Sequence, residues 1–161
     1  MFHGTQKTDE DAHTVARLGA SLAHCSVSNL ANVAPILKCL ELGVNVGTGF
    51  GSADMWEVMR VAYYLHKGRT PGLDAETVFR MATVGAQRHT IWRIGKIAEG
   101  YAADVVFVDE SYAGLLPTVE LDGFSTHLHN PLIECRPHML RDVMIEGKWE
   151  VTDGRITTID E

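Results

Sequence analysis

The chain contains 161 residues, of which 45% are hydrophobic and 22% charged, and its formal net charge at pH 7 is −7. These values are typical of one globular domain and exclude a disordered tail. No apolar run approaches the roughly 20 residues of a membrane span, and we expect no export signal. The acidic balance, without any cluster of Lys and Arg, argues against nucleic acid or an anionic membrane as a partner.

Three widely spaced cysteines, Cys25, Cys39 and Cys135, form no CxxC pair. This spacing supports neither a disulfide framework nor a cysteine zinc site. Each cysteine lies among apolar residues, which is typical of a small buried side chain. We therefore expect a reducing, cytoplasmic location.

The first half of the chain, residues 1–90, alternates helix and strand signals. Capping residues and terminal glycines predict four helices, which begin near Thr8, Pro35, Ser52 and Asp74. Short apolar segments at 20–25 and 44–46 are typical of strands buried on both faces. The alternation predicts a parallel α/β sheet or barrel.

The second half, residues 91–161, changes character and forms the second predicted unit. Residues 104–109 are expected to form a strand, and 141–159 a β-meander with turns at Gly147-Lys148 and Asp153-Gly154. Residues 110–140 are weakly patterned and predict a loop with one short helix.

Parallel strands in the first half would need further neighbours. A small set of parallel strands cannot close a sheet, and its edges leave backbone donors and acceptors unpaired. The missing strands are expected to come from the rest of a longer polypeptide or from a partner chain.

Two histidines are the first candidates for a site. His24 ends a predicted strand, where side chains line the active sites of parallel α/β proteins, although a structural histidine is the alternative. His3 lies just before the first capped helix, and a terminal residue can equally be disordered. Ser28 and Asn29 follow the strand of His24, and capping of the next helix would also explain them.

Other candidates are weaker. The segment 47–52 is glycine-rich and opens a helix, but it matches neither a dinucleotide fingerprint nor a P-loop. His127 and His129 alternate as metal ligands on a strand would, yet no strand pattern surrounds them and Asn130-Pro131 interrupts the segment. His66 lies on a predicted helix, where an exposed or helix-end role is expected.

A series of motifs resembles one known family. It comprises His3-Gly4-Thr5, the run from Gly19 to Asn29, Gly43-Val44-Asn45-Val46-Gly47-Thr48, Asp54 to Arg60, Met81-Ala82-Thr83, Ile94 to Gly100, Ala103-Asp104-Val105-Val106, His129-Asn130-Pro131 and Val143 to Ile156. In this order and spacing they resemble the amidohydrolase superfamily. Within it, they resemble the cyclic deaminases and chlorohydrolases that act on purines, including S-adenosylhomocysteine and methylthioadenosine, and on triazines.

The resemblance implies an α/β fold: the last strands and helices of a TIM (β/α)₈ barrel, followed by the C-terminal strands of a small β-sandwich. His3 and His24 would then be the catalytic candidates at the ends of barrel strands six and seven, with Ser28 and Asn29 as substrate-binding candidates. The family binds zinc or iron. Its eighth-strand Gly-Thr-Asp motif is Gly47-Thr48-Gly49 here, so the metal-binding Asp is replaced or deleted and we expect this chain to retain no metal.

The resemblance implies hydrolysis of a C–N or C–Cl bond of a small nitrogen heterocycle, such as a purine or triazine. Because most metal ligands of the family are missing, we expect this truncated chain to be inactive alone. The alternative is a non-catalytic remnant or interaction module that self-associates through exposed strand edges. Either a homo-oligomer or a complementing chain is the expected partner.

Overall fold

The computed structural model describes residues 1–30, 33–69, 72–122 and 124–159. The chain divides into two compact units, Met1–Ile91 and Trp92–Glu161. No helix in these described ranges is long and apolar enough to cross a membrane.

The first unit alternates helices with short parallel strands, as predicted. Its elements are α1 (Asp9–Arg17), β1 (Leu22–His24), α2 (Ile36–Glu41), β2 (Val46–Thr48), α3 (Met55–Lys67), α4 (Ala75–Ala82) and a 3₁₀ helix (Val84–His89). Strand β1 pairs in parallel with β2, with Leu22 opposite Val46 and His24 opposite Thr48. On its other side β1 forms a parallel bridge from Ala23 to Phe2. The unit therefore contains three adjacent parallel segments in the order Phe2, β1, β2.

Local capping determines where the helices begin. Thr8 caps α1 in a reciprocal capping box with Asp11, and Asp74 caps α4, as predicted. The prediction that Ser52 caps α3 is wrong. Asp54 is the cap, since its Oδ1 accepts a hydrogen bond of 2.9 Å from Trp56 N–H, while Ser52 Oγ accepts from Asp54 N–H at 3.2 Å.

The core of the first unit contains side chains from both strands and from helices α2–α4. Its fully or almost fully buried members include Leu22, Ile36, Val46, Val58, Met59, Val78 and Met81. Burying one such side chain contributes roughly 1.5–3 kcal/mol of transfer free energy. This core fixes the positions of the strand ends that are described below.

The second unit contains mostly antiparallel strands. Its elements are β3 (Val105–Val108), β4 (Glu120–Leu121), β5 (Phe124–Ser125), α5 (Thr126–Glu134), β6 (Leu140–Ile145), β7 (Lys148–Thr152), β8 (Arg155–Ile156) and 3₁₀ helices at Ala113–Leu115 and Pro137–Met139. Strands β3, β6, β7 and β8 form one antiparallel sheet in that order, and β4 pairs with β5. The predicted meander is thus confirmed.

The two hairpin turns of the meander contain Glu146-Gly147 and Asp153-Gly154, each with two successive positive φ angles. This geometry matches the type I′ turn, whose twist suits adjacent strands. The first turn lies one residue earlier than predicted. The predicted interruption at Asn130-Pro131 is also wrong, because α5 continues through Pro131.

Candidate functional site

The C-terminal ends of the three parallel segments of the first unit meet at one edge. His3 directly follows Phe2, His24 is the last residue of β1, and Gly49 follows β2. The backbone of Gly49 donates a hydrogen bond of 2.7 Å to His24 O, which extends the β1–β2 pairing beyond the strands. In parallel α/β proteins this edge is where ligands bind and catalytic side chains lie.

His3 is held at this edge by its backbone and its side chain. Its N–H donates to Ala23 O at 3.1 Å, and its ring Nδ1 lies 3.0 Å from Asn29 Oδ1. The φ angle of His3 is +63°, a left-handed conformation that is unfavourable for a residue with a Cβ. Such a conformation persists only where surrounding contacts enforce it.

His24 lies in a different environment. It is fully buried, and its ring packs against the buried ring of His66 from α3 with centroids 5.3 Å apart and planes inclined by 67°. In the part of the chain that the structure describes, none of the four ring nitrogens of this pair has a hydrogen-bond partner. Within the described residues, no hydrogen bond or ring contact joins His24 to His3.

Both imidazoles of the His24–His66 pair strongly favour the neutral form. The pKa of His24 is lowered from 6.5 to about 4, mainly by burial and secondly by the neighbouring His66. Burial also lowers the pKa of His66 to about 4, with a contribution from the charge of Arg69. A charged imidazolium without a hydrogen-bond partner is costly in such a place, which explains the direction of both changes.

His66 lies in the last turn of α3, as expected, but it is buried and not exposed. His66 follows Met59 by seven residues and Tyr63 by three, and all three side chains are buried on the same face of α3. Helical periodicity of this kind places a residue on the inner face. The spacing could therefore have identified His66 from the sequence.

Ser28 and the loop after β2 form a tightly packed contact. Ser28 Oγ donates to Phe50 O at 3.3 Å. A Cβ added to Gly51 would lie 2.8 Å from Val27 Cβ, and one added to Gly49 would clash with Cys25 Sγ. The loop 49–51 thus lies directly on the turn that follows β1, with no space for side chains at either glycine.

The start of α3 does not provide an anion site. The Asp54 carboxylate already accepts the Trp56 N–H, and its other oxygen lies 3.5 Å from the Arg60 guanidinium. A negative group at this position competes with a phosphate for the same donors. This arrangement argues against phosphate binding by the segment 47–52.

The residues in the described ranges do not fit a metal centre by themselves. No group of three or more His, Cys, Asp or Glu side chains within those ranges converges as metal ligands. Position 49, where the resemblance implies an Asp ligand, carries a glycine that packs on Cys25. His127 and His129 are two residues apart on α5, where side chains diverge. A hydrolytic zinc site usually needs three protein ligands, so no step through a metal is assigned to these residues.

The buried histidine pair predicts a pH-dependent stability. Because both folded-state pKa values lie near 4 and unfolded histidine titrates near 6.5, the unfolded state binds more protons between these values. The free energy of unfolding should therefore be highest above pH 7. It should fall as the pH decreases towards 4, by up to about 1.4 kcal/mol per pH unit for each histidine. Urea unfolding at a series of pH values measures this.

Leucine at both positions of the pair, His24→Leu with His66→Leu, should remove most of this decrease. His13→Gln, at an exposed histidine of α1, is the matched control and should keep it. An unchanged pH dependence in the double variant would contradict the assignment.

The close contact at Gly49 predicts a steric penalty for any side chain. Gly49→Ala should lower the free energy of unfolding by about 1–3 kcal/mol, because the new methyl group must displace Cys25 Sγ. Gly68→Ala is the control, since nothing lies within 4 Å of that position and its φ is −77°. Combining Gly49→Ala with Cys25→Ala should restore part of the loss in urea unfolding. Equal stabilities of the two single variants would refute the contact.

Sequence comparison identifies relatives along the whole chain. The profile of the amidohydrolase family matches residues 1–149. The 5-methylthioadenosine/S-adenosylhomocysteine deaminase of Pyrococcus abyssi is 33% identical over 171 residues, which cover 99% of this chain and 39% of that protein. The 5'-deoxyadenosine deaminase of Methanocaldococcus jannaschii is 32% identical, with the same coverage of both chains.

Solved structures agree with these matches. An adenosine deaminase from Xanthomonas campestris with bound zinc has a TM-score of 0.85 and 30% identity, covering 99% of this chain and 38% of that one. The atrazine chlorohydrolase of Arthrobacter aurescens TC1, complexed with zinc, has a TM-score of 0.82 at 21% identity and shows the fold alone. The chain therefore spans about two-fifths of the length of these relatives. With a family match over nearly its whole length, the chain belongs to the amidohydrolase family.

Proposed function

We propose that this chain forms the C-terminal part of a metal-dependent hydrolase that deaminates a small nitrogen heterocycle, with a purine nucleoside as the first candidate substrate. One observation carries the proposal: the C-terminal ends of three parallel segments meet at one edge, and the exposed His3 is fixed there by Asn29. The named relatives that are deaminases of adenosine-type compounds support the substrate class.

In this proposal the first unit contributes the last strands of a (β/α)₈ barrel, and the second unit contributes strands of a small β-sandwich. The segments Phe2, β1 and β2 would be consecutive barrel strands. Their parallel order and their alternation with helices support this arrangement. The remaining strands would come from a complementing polypeptide segment, which the coverage of only 39% of the relatives' length supports.

Hydrolytic deamination replaces the exocyclic C–N bond at a ring carbon with a C–O bond, and a proton must move from water to the departing ammonia. Two of the similar solved structures, an adenosine deaminase and an atrazine chlorohydrolase, contain zinc, and a bound zinc ion would supply an activated water. The described residues of this chain provide no complete set of ligands for it. His3 is suited to hold or move a proton, because its imidazole is exposed at the strand ends. These residues alone should therefore not complete the reaction.

An assay of ammonia release tests this proposal. The purified chain with added zinc should release no ammonia from 5-methylthioadenosine, S-adenosylhomocysteine or 5'-deoxyadenosine. Co-expression with the remaining part of the Pyrococcus abyssi deaminase, which in this proposal is its N-terminal part, should restore turnover, at a rate below that of the intact deaminase because position 49 carries no carboxylate. His3→Gln in that complex should lower kcat/KM by about 10²–10⁴-fold, as expected for loss of a proton-transfer group.

His13→Gln, on the exposed face of α1, is the matched control and should leave the rate of the complex unchanged. Turnover by the isolated chain with one bound zinc per molecule would overturn the claim that it is inactive alone. A stable complex that releases no ammonia from any of the three compounds would overturn the deaminase proposal itself.

A second candidate function is an interaction module that self-associates through its strand edges. The exposure of Phe2 (72%) and Phe50 (79%) beside the sheet favours it, as does the two-stranded sheet β1–β2, which within the described residues pairs with no further strand. Unpaired edges and exposed aromatic side chains are typical of association surfaces.

Sedimentation of the isolated chain tests this association. We expect oligomers at micromolar concentration, since edge pairing buries backbone groups and aromatic rings together. Replacing both aromatic side chains, with Phe2→Ser and Phe50→Ser, should shift the distribution towards the monomer. Tyr64→Ser, at an exposed aromatic residue on α3, is the control. A wild-type chain that sediments as a stable monomer would contradict self-association.

A further inference from the structure

We propose that Asn29 is a positioning residue for His3: it fixes the imidazole as the Nδ1–H tautomer and leaves the lone pair of Nε2 available at the strand ends. The inference rests on the hydrogen-bond geometry between the two side chains. Its meaning for catalysis depends on the proposed function, but the tautomer itself does not.

The tautomer follows from the chemistry of the two facing atoms. His3 Nδ1 lies 3.0 Å from Asn29 Oδ1, a normal hydrogen-bond distance. A carboxamide oxygen only accepts hydrogen bonds, so with Oδ1 facing the ring the proton between these atoms belongs to Nδ1. In a neutral imidazole the other nitrogen, Nε2, then carries the lone pair and can accept a proton or bind an electrophile.

Asn29 is itself held rigidly, which a positioning role requires. Its side chain is almost fully buried, with 7% of its surface exposed. Its backbone N–H donates to Cys25 O at 3.0 Å, closing the turn after β1. Ser26 in the same turn donates from Oγ to Val58 O at 2.7 Å and so ties the turn to α3.

The backbone of His3, whose ring contacts Asn29, is conformationally constrained. Both His3 and Gly4 have positive φ angles, +63° and +68°. At Gly4 a Cβ would lie 3.1 Å from the buried Leu22 side chain, so the chain passes close to the core here. The constrained backbone thus restricts where the His3 side chain can point, and the hydrogen bond to Asn29 fixes the rotation of the imidazole ring. In many functional sites, one ring nitrogen of a histidine donates a hydrogen bond to a carbonyl oxygen, which orients the ring so that the other nitrogen faces the ligand.

Asn29 itself is poorly placed to bind a substrate directly. Its Oδ1 contacts the His3 ring, and its buried Nδ2 has no hydrogen-bond partner among the described residues. An amide that is 7% exposed has little surface to offer a ligand directly. Its effect on a ligand would therefore pass through His3.

¹⁵N NMR of the histidine side chains, recorded on the full chain at a pH above 7, tests the tautomer. The wild-type spectrum should show His3 with a protonated Nδ1 and an unprotonated Nε2. Asn29→Leu, which keeps the size but removes the acceptor, should shift the tautomer ratio towards Nε2–H by about fivefold, the effect of one ordinary hydrogen bond. Asn29→Asp, which keeps an acceptor oxygen, should retain the Nδ1–H form.

Asn29→Asp provides a second readout that folding defects cannot imitate. A carboxylate beside the ring favours the imidazolium, so the pKa of His3 should rise in this variant. Asn45→Leu is the matched control, because that asparagine bonds to Gly85 O instead, and it should leave the His3 spectrum unchanged.

A wild-type His3 in the Nε2–H form would overturn the proposal, as would a tautomer ratio in Asn29→Leu equal to that of the wild type. Because no turnover is measured, neither result bears on the deaminase proposal. Conversely, the absence of ammonia release from the complemented protein would leave the tautomer assignment intact.

Discussion

The turn that follows β1, Cys25–Asn29, is the constraint on which the edge of the sheet depends. Three separate parts of the first unit are held by it. Ser26 Oγ donates to Val58 O of α3, Asn29 Oδ1 meets the ring of His3, and the loop after β2 packs against Cys25. Since the turn closes on itself through the Asn29 N–H, these contacts are coupled: moving one displaces the others. The precision of the site therefore derives from a five-residue turn rather than from the strands alone.

This constraint limits the chemistry that the edge can support. The loop after β2 approaches the turn so closely that Gly49 and Gly51 have no room for a Cβ. A carboxylate at position 49 would require the Cys25 side chain to move. Glycine at this position, where the resemblance implies an Asp, thus fits the packing of this chain. A ligand there would need the space that Cys25 Sγ fills, as well as a new side chain.

Helix caps and other local sequence signals predicted much of the fold. Contacts between residues that are distant in the sequence could not be predicted in this way. The helix starts at Thr8 and Asp74 were predictable because a cap involves residues within one turn. His3 and Asn29 were both recognised as candidates, but their pairing across 26 positions depends on how β1 lies beside Phe2. Burial of His66 follows from its helical spacing, seven residues after Met59 and three after Tyr63, which places it on the inner face of α3.

Unmet hydrogen-bonding capacity in this protein is concentrated in one place. In the described part of the chain, the buried side-chain nitrogen and oxygen atoms without a partner all belong to His24, His66 and Asn29. Two of these residues lie at the end of β1 or in the turn after it, and the third packs against His24. Leaving such atoms unpaired costs roughly 1–3 kcal/mol each, so a fold without further need of them would replace them with apolar side chains. These polar side chains lie beside the strand ends, while the rest of the unit has an apolar core. Stability alone therefore does not explain the residues at this edge, which is typical of a functional site.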